Sequence, residues 1–464
     1  MSVSRRFRVL AILAVMAGSL AVVPTAGAAE LGFVTDLTWG ASDADKERTY
    51  QALNDLGARW VRVTANWAEI ERSQGAYNSW SLNQLDVAVQ RNLAAGRRVV
   101  VDVYAAPAWA SGSTYQDTPP RDAADFGRFA GFLAARYRGQ GVAGYEIWNE
   151  QNISRFWGQR TPSASAYVGL LRAASASVRA ADPQAKVVFG GLSTGDADYV
   201  RAAYAAGARG LFDVMAVHPY TCDADITVAA NGRKAAFLAY RDIRALQAAQ
   251  GDAMPMWFTE FGWSTTSGSC GVSEAQQADR LAVAARLMAQ DPYVEAAMVY
   301  NLRNNYWGAD ADSLEERYGL VTTTWRQKPA YATFKALAAA QAPAPAPGTD
   351  PQPVPEPEPT PTPAPAPEPA PAPAPEPSPI TLKPKKKKRA KATVALVGRV
   401  RGEDARRRVA VTVRTRGHRH MRKVVRLRDG RFRVSLRRLN RGRYRAVARL
   451  VARPQVRASR TFRL

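Results

Sequence analysis

Two short apolar runs end in a glutamate: Tyr145-Glu146-Ile147-Trp148-Asn149-Glu150 and Met256-Trp257-Phe258-Thr259-Glu260. Carboxyl groups that close hydrophobic strands can face one another across the mouth of a barrel. Such a pair suits cleavage of a glycosidic bond, which needs one carboxyl protonated to release the leaving oxygen and one ionised to attack or support the anomeric carbon. Taken singly, each glutamate has a plainer reading as a helix cap or as the partner of a surface arginine. Six of the eleven tryptophans, Trp39, Trp67, Trp109, Trp157, Trp263 and Trp307, fall just past apolar runs, where flat rings can stack on sugar faces. One such ring alone belongs more often to a core; six at corresponding positions favour a shared surface.

The elements that must position these groups are legible between residues 30 and 341. Runs rich in Val, Ile, Phe and Tyr alternate with amphipathic stretches rich in Ala, Leu and Arg, the pattern of repeated βα units. Strands are predicted near 31–37, 58–65, 98–105, 142–149, 186–192, 211–218, 255–261 and 294–301, each followed by a helix. In 121–140, Phe126, Phe129, Phe132, Leu133 and Tyr137 recur at helical spacing, and 273–290 opens with a Ser-x-x-Gln capping pattern. Eight repeats in about 310 residues match an α/β fold of the (β/α)8 TIM-barrel type, whose working face lies where strands end. A doubly wound open sheet is the alternative. No Gly-rich phosphate loop follows the first strand, where Thr38-Trp39-Gly40-Ala41-Ser42 stands instead.

A chain of 464 residues with 46% hydrophobic and 22% charged residues affords a packed core, excludes global disorder and fits two unequal domains. The net charge of +24 is unevenly spread. Residues 381–464 hold 31 Lys and Arg against 3 acids, whereas residues 30–341 come to −2. Residues 1–29 carry Arg5, Arg6 and Arg8, an apolar run from Val9 to Val23 and then Ala26-Gly27-Ala28, which reads as a secretory signal peptide. No later segment reaches about 18 apolar residues, so an exported, soluble protein is expected.

Residues 342–380 contain 18 prolines and read as a semi-rigid polyproline spacer. Beyond the cluster Lys385 to Arg389, period-two alternation in Val409, Val411, Val413, in Phe432, Val434, Leu436 and in Tyr444, Ala446, Ala448, Leu450 predicts a small basic β-sandwich of five or six strands, with Asp429-Gly430 turning a hairpin. A disordered basic tail is the competing reading. So cationic a module expects a polyanion: an anionic cell-wall polymer, an acidic polysaccharide or a lipid surface. Export sets nucleic acid aside. A charged fold with no dedicated ligand is the bland alternative.

In an oxidising compartment the two cysteines, Cys222 and Cys270, would persist as a disulfide closing 47 intervening residues. Two buried free thiols are the other possibility. Neither their spacing nor the three histidines suggest a metal site, and no cofactor is expected.

The chain resembles the clan A retaining glycoside hydrolases, most closely those of family 39 and family 5. The matching pieces are Val61-Arg62-Val63, Trp148-Asn149-Glu150, His218-Pro219-Tyr220 and Thr259-Glu260-Phe261-Gly262-Trp263, on the second, fourth, sixth and seventh predicted strands. The resemblance covers nearly all of residues 31–340 and none of the tail. Gln151 stands where the group often has proline.

The resemblance implies Glu150 as general acid/base and Glu260 as nucleophile of a carbohydrate-cleaving enzyme, with carboxyls about 5–5.5 Å apart. Arg62 would keep Glu260 ionised, and Glu150 would be held protonated. Asn149 would bond the sugar 2-hydroxyl, Tyr220 would bond Glu260, and His218 would help tune Glu150. Arg62 can also serve as internal partner of Glu146. A disulfide would brace the loops after the sixth and seventh strands, and a monomer is expected. A non-catalytic carbohydrate-binding or adhesive protein on the same scaffold remains the alternative.

Overall fold

The computed structural model describes residues 29–38, 41–305 and 312–341, together with seven strands between 380 and 463. The chain divides into two compact units, residues 1–348 and 349–464. The expected leader and spacer lie outside the described residues.

In the first unit eight parallel strands close in sequence order: β1 (Glu30–Thr35), β2 (Trp60–Asn66), β3 (Arg98–Tyr104), β4 (Gly144–Asn149), β5 (Lys186–Ser193), β6 (Val214–His218), β7 (Met256–Phe261) and β8 (Val294–Val299). Pairing of β1 with β8 completes the barrel. All eight predicted strands are present, with ends shifted by a few residues.

Alternation along each strand sorts side chains into two cores. Val61, Val63 and Ala65 of β2 join the layer between strands and helices, with Phe126, Phe129, Leu133 and Tyr137 facing it from the helix Ala123–Tyr137. That helix starts later than the periodicity predicts because Asp122 caps it, accepting from Ala124 N–H. Glu274–Met288 carries the predicted capping box between Ser273 and Gln276.

The residues of opposite parity fill the barrel. Val34, Trp60, Val100, Val188, Val214, Trp257, Ala296 and Met298 form an inner apolar cluster, in which Trp60 and Trp257 meet edge to face with centroids 4.7 Å apart. Two residues beyond Trp60 on β2 and Trp257 on β7 stand Arg62 and Thr259, and β4 contributes Glu146 at the same level. The interior thus turns polar toward the strand ends. At the opposite pole, the Gln341 amide closes the chain on itself, donating to Ala29 O at 2.7 Å and accepting from Leu31 N–H at 3.3 Å.

In the second unit, β9 (Ile380–Lys386), β10 (Val394–Val400), β11 (Arg408–Thr415), β12 (His418–Arg426), β13 (Arg431–Leu436), β14 (Arg443–Leu450) and β15 (Arg457–Arg463) form two antiparallel sheets, in the orders β13-β10-β9 and β12-β11-β14-β15. Val411, Phe432, Val434 and Ala448 are buried. Seven strands are described there, against the five or six expected. Asp429-Gly430, expected to turn a hairpin, lies outside the described residues, and the strands on either side of it, β12 and β13, lie in different sheets. β13 pairs with β10, setting Val434 opposite Leu396.

Candidate active site

Asn149, Glu150, His218, Tyr220 and Glu260 sit at or just past strand ends on one pole of the barrel, and Arg62 reaches them from within β2. Arg62 is on β2, Asn149 ends β4 with Glu150 next, His218 ends β6 with Tyr220 two residues on, and Glu260 is on β7. Glu150 (φ 43°) and Trp148 (φ 71°) occupy the left-handed backbone region. Such conformations cost roughly 1–2 kcal/mol each in non-glycine residues and persist where surrounding packing enforces them.

One carboxylate oxygen of Glu150, one of Glu260 and a ring nitrogen of His218 lie within 4.8 Å of one another. Among the described residues this is the group that could hold a cation, yet its members already have partners. Arg62 is 2% exposed and donates through Nη1 to Glu260 Oε1 at 2.7 Å, through Nε to Glu146 Oε2 at 2.6 Å and through Nη2 to Asn149 Oδ1 at 2.9 Å. It also lies 3.4 Å from Asp102 Oδ2. Tyr220 OH donates to Glu260 Oε2 at 2.9 Å, and His218 Nδ1 lies 3.1 Å from Glu150 Oε1.

Burial opposes charge throughout this cluster. On Arg62 the carboxylates of Asp102, Glu146 and Glu260 outweigh it and raise the guanidinium above its usual range. Burial pushes Asp102 up to about 7 against the pull of Arg62. On His218 burial pulls downward, but the charges of Glu260 and Glu150 prevail and the imidazole is raised. Glu260 is subject to the same competition. Arg62 and His218 act to keep it ionised, but burial is the larger effect and its carboxyl is raised.

Three of the six tryptophans, Trp67, Trp157 and Trp263, are buried in the core and Trp109 is half-buried against it, correcting the stacking-surface reading. Trp67 has no exposed surface; it stacks on Phe129 at 5.5 Å and donates to Glu71 Oε2 at 2.6 Å. Trp109 stands edge-on to Trp67 at 5.6 Å and donates to Glu71 O at 2.9 Å. Trp157 packs on Trp148, and Trp263 is buried with its indole donating to Thr221 Oγ1 at 3.2 Å. These rings turn outward into the helix layer and brace the loops from beneath. Trp39 and Trp307 lie outside the described residues.

The cleft has two chambers that meet at Asn149, Glu260 and Tyr300. One of about 540 Å³ includes Arg62, Asp102 and Trp80; the other, of about 820 Å³, includes Glu150, Tyr220 and Tyr318. Trp80, 60% exposed, escapes a reading confined to residues just past strands. Its signal is phase: it starts the helix Ser79–Ala94 but falls off the buried face of Leu82, Leu85 and Val89. Cys222 and Cys270 form a disulfide joining the loops after β6 and β7, and both line the larger chamber.

The family model described as Cellulase (glycosyl hydrolase family 5) matches residues 24–312. No curated protein sequence matches the chain. Among solved structures, a family 39 glycoside hydrolase from the gut symbiont Bacteroides cellulosilyticus WH2 is similar at 14% identity and TM-score 0.56, over 88% of this chain and 81% of its own. The GH39 enzyme from Xanthomonas axonopodis pv. citri gives 16% and 0.54, over 90% and 93%. GH5_18 from Streptomyces cattleya, in complex with GlcNAc, gives 21% and 0.53, over 69% and 83%. At these identities the likeness is one of fold.

Proposed function

With the chain belonging to the cellulase family, glycosyl hydrolase family 5, and therefore a glycosidase, we propose that it cleaves a β-linked oligo- or polysaccharide with retention of anomeric configuration. The observation that carries this reading is the approach of Glu150 and Glu260 oxygens to within 4.8 Å. An inverting pair needs about 6.5–9.5 Å between its carboxyls to admit a water.

The roles follow from the partners. Glu260 accepts from Arg62 and Tyr220, contacts that favour an ionised nucleophile aimed at the anomeric carbon. Glu150 contacts His218, a group able to exchange a proton, and so serves as acid and then base. In the first step Glu150 protonates the glycosidic oxygen while Glu260 bonds to the anomeric carbon. In the second, Glu150 takes a proton from water, whose oxygen displaces Glu260.

Glu150 lines only the larger chamber and must touch the leaving oxygen, so that chamber takes the departing sugar. The smaller one holds the glycone. Asp102 and Asn301 line this smaller chamber and offer polar side chains suited to sugar hydroxyls. Room on both sides supports an oligomeric or polymeric substrate.

We further infer a secreted monomer held at an anionic wall polymer, polysaccharide or lipid surface through residues 381–464. Composition supports a polyanionic partner there, with 31 Lys and Arg against 3 acids in those residues.

The test is hydrolysis of aryl β-glycosides and a polysaccharide panel by the wild type, Glu150→Ala and Glu260→Ala, with the first-formed anomer read by proton NMR. Retention and loss of turnover in both variants are expected. A first product of inverted configuration would overturn the assignment, as would hydrolysis unaffected by either substitution.

A further inference from the structure

The hydrogen bonds behind the two glutamates fix where protons sit. Glu146 is fully buried. Its Oε2 accepts from Arg62 Nε–H at 2.6 Å and its Oε1 from Gly191 N–H at 2.8 Å, two groups that only donate. The Thr259 hydroxyl, 2.9 Å from Glu146 Oε1, therefore gives its single proton to that carboxylate. Only lone pairs remain on the Thr259 oxygen for His218 Nε2 at 3.0 Å, so Nε2 carries a hydrogen. A neutral imidazole has one N–H, which leaves Nδ1 as a bare acceptor 3.1 Å from Glu150 Oε1. That contact is a hydrogen bond only when one proton lies between the two atoms. Gly191 makes the arrangement possible: a β-carbon there would stand 2.1 Å from His218 Nε2 and 2.7 Å from Glu146 Oε1.

We propose that Thr259 is a positioning residue which, passing the polarity of Glu146 to His218, fixes the imidazole as the Nε2–H tautomer and reserves Nδ1 for the proton that Glu150 delivers. The proposal rests on the reading of Glu150 as acid/base. An imidazole in the opposite tautomer would donate from Nδ1 to Glu150 and stabilise its carboxylate, making it a poorer acid for the leaving oxygen. With the tautomer fixed, the proton lost to the glycosidic oxygen in the first step and regained from water in the second is carried by the Glu150 Oε1 and His218 Nδ1 pair. The charged groups facing His218 are Glu150, Glu260 at 3.8 Å, Glu146 at 3.9 Å and Arg62.

The tautomer is readable without any substrate. The chain has three histidines, His218, His418 and His420, so 15N–1H correlation of the imidazole rings in the full-length protein, assigned with His218→Asn, isolates one ring. Titrated from pH 5 to 9, neutral wild-type His218 is expected as Nε2–H, Thr259→Val as Nδ1–H or a mixture, and Thr259→Ser as wild type. The ratio kcat/KM on phenyl and 2,4-dinitrophenyl β-glucosides and β-mannosides adds a second measure, because it reports the first step alone and not the base-assisted second step that both substrates share. General acid assistance is worth about 10²–10⁴-fold. Thr259→Val should forfeit about 10- to 100-fold of it on the phenyl compounds and less than about threefold on the dinitrophenyl ones, whose leaving groups need no proton.

A wild-type Nδ1–H tautomer overturns the proposal, as does equal slowing of both substrates in Thr259→Val. Glu150→Ala separates the two levels of inference. If it slows both leaving groups alike, the acid assignment itself fails. If it is selective while Thr259→Val is not, only the role of Thr259 falls. Should the valine variant not fold, the wild-type and serine spectra still decide.

Discussion

Arg62→Met removes the guanidinium shared by Glu146, Glu260 and Asp102 while keeping an unbranched chain in the barrel. Taking one member from a buried ion pair typically costs about 3–5 kcal/mol, because the remaining charge stays buried. Unfolding entropy of about 2.1 cal/mol/K per residue over a barrel of about 310 residues comes to about 0.65 kcal/mol per kelvin. A loss of about 4 kcal/mol is then a fall of about 6 °C in Tm. The fall should depend on pH. Burial already holds Asp102 at about 7 against the pull of Arg62, and without the cation the buried carboxyls rise further. Carboxyls whose pKa is higher folded than unfolded bind more protons in the native state, so stability is greatest in acid and is lost as pH rises through the folded value. Calorimetry should therefore show the gap between wild type and variant widening from pH 5 to pH 8. A fall of less than about 1 °C at pH 8, or a gap that grows on acidification, would refute the reasoning.

Reducing the Cys222–Cys270 bond, which spans a sequence separation of 48, should lower stability by about 4 kcal/mol in the chain-entropy treatment, or about 6 °C in Tm; no change with reductant would mean that the unfolded chain is not constrained by it. Trp67→Ala should cost about 3–5 kcal/mol as a large-to-small core change, measured by urea unfolding. Trp80→Ala should leave stability within about 0.5 kcal/mol but raise KM on long glycans about 3- to 10-fold, the worth of one lost aromatic contact. The opposite pattern would restore Trp67 to the cleft.

The barrel was readable because each strand announces itself twice, by β-branched composition and by the amphipathic helix that follows. Glu150 and Glu260 were readable because both close such strands. Asp102 and Thr259 were hidden for a definite reason. Both occupy inward positions mid-strand, and their partners come from strands across the barrel, as Thr259 finds Glu146 113 residues away. The tryptophans misled because lying just past a strand says nothing about direction. Trp67 begins the short helix Trp67–Ile70 and turns beneath the loop, whereas Trp80 reaches the cleft from a helix. In the basic unit the strands flanking Asp429-Gly430 belong to different sheets, and β13 pairs with β10 instead.

The clasp made by Gln341 ties the last helix of the barrel unit to its first strand. Helices of this fold run back from the mouth to the base, and Gln341 ends the last of them against Ala29 and Leu31, at the start of β1. The two ends of the barrel unit therefore meet at the pole opposite the glutamates, so loosening this clasp acts on the stability of the closed barrel and not on the geometry of its mouth.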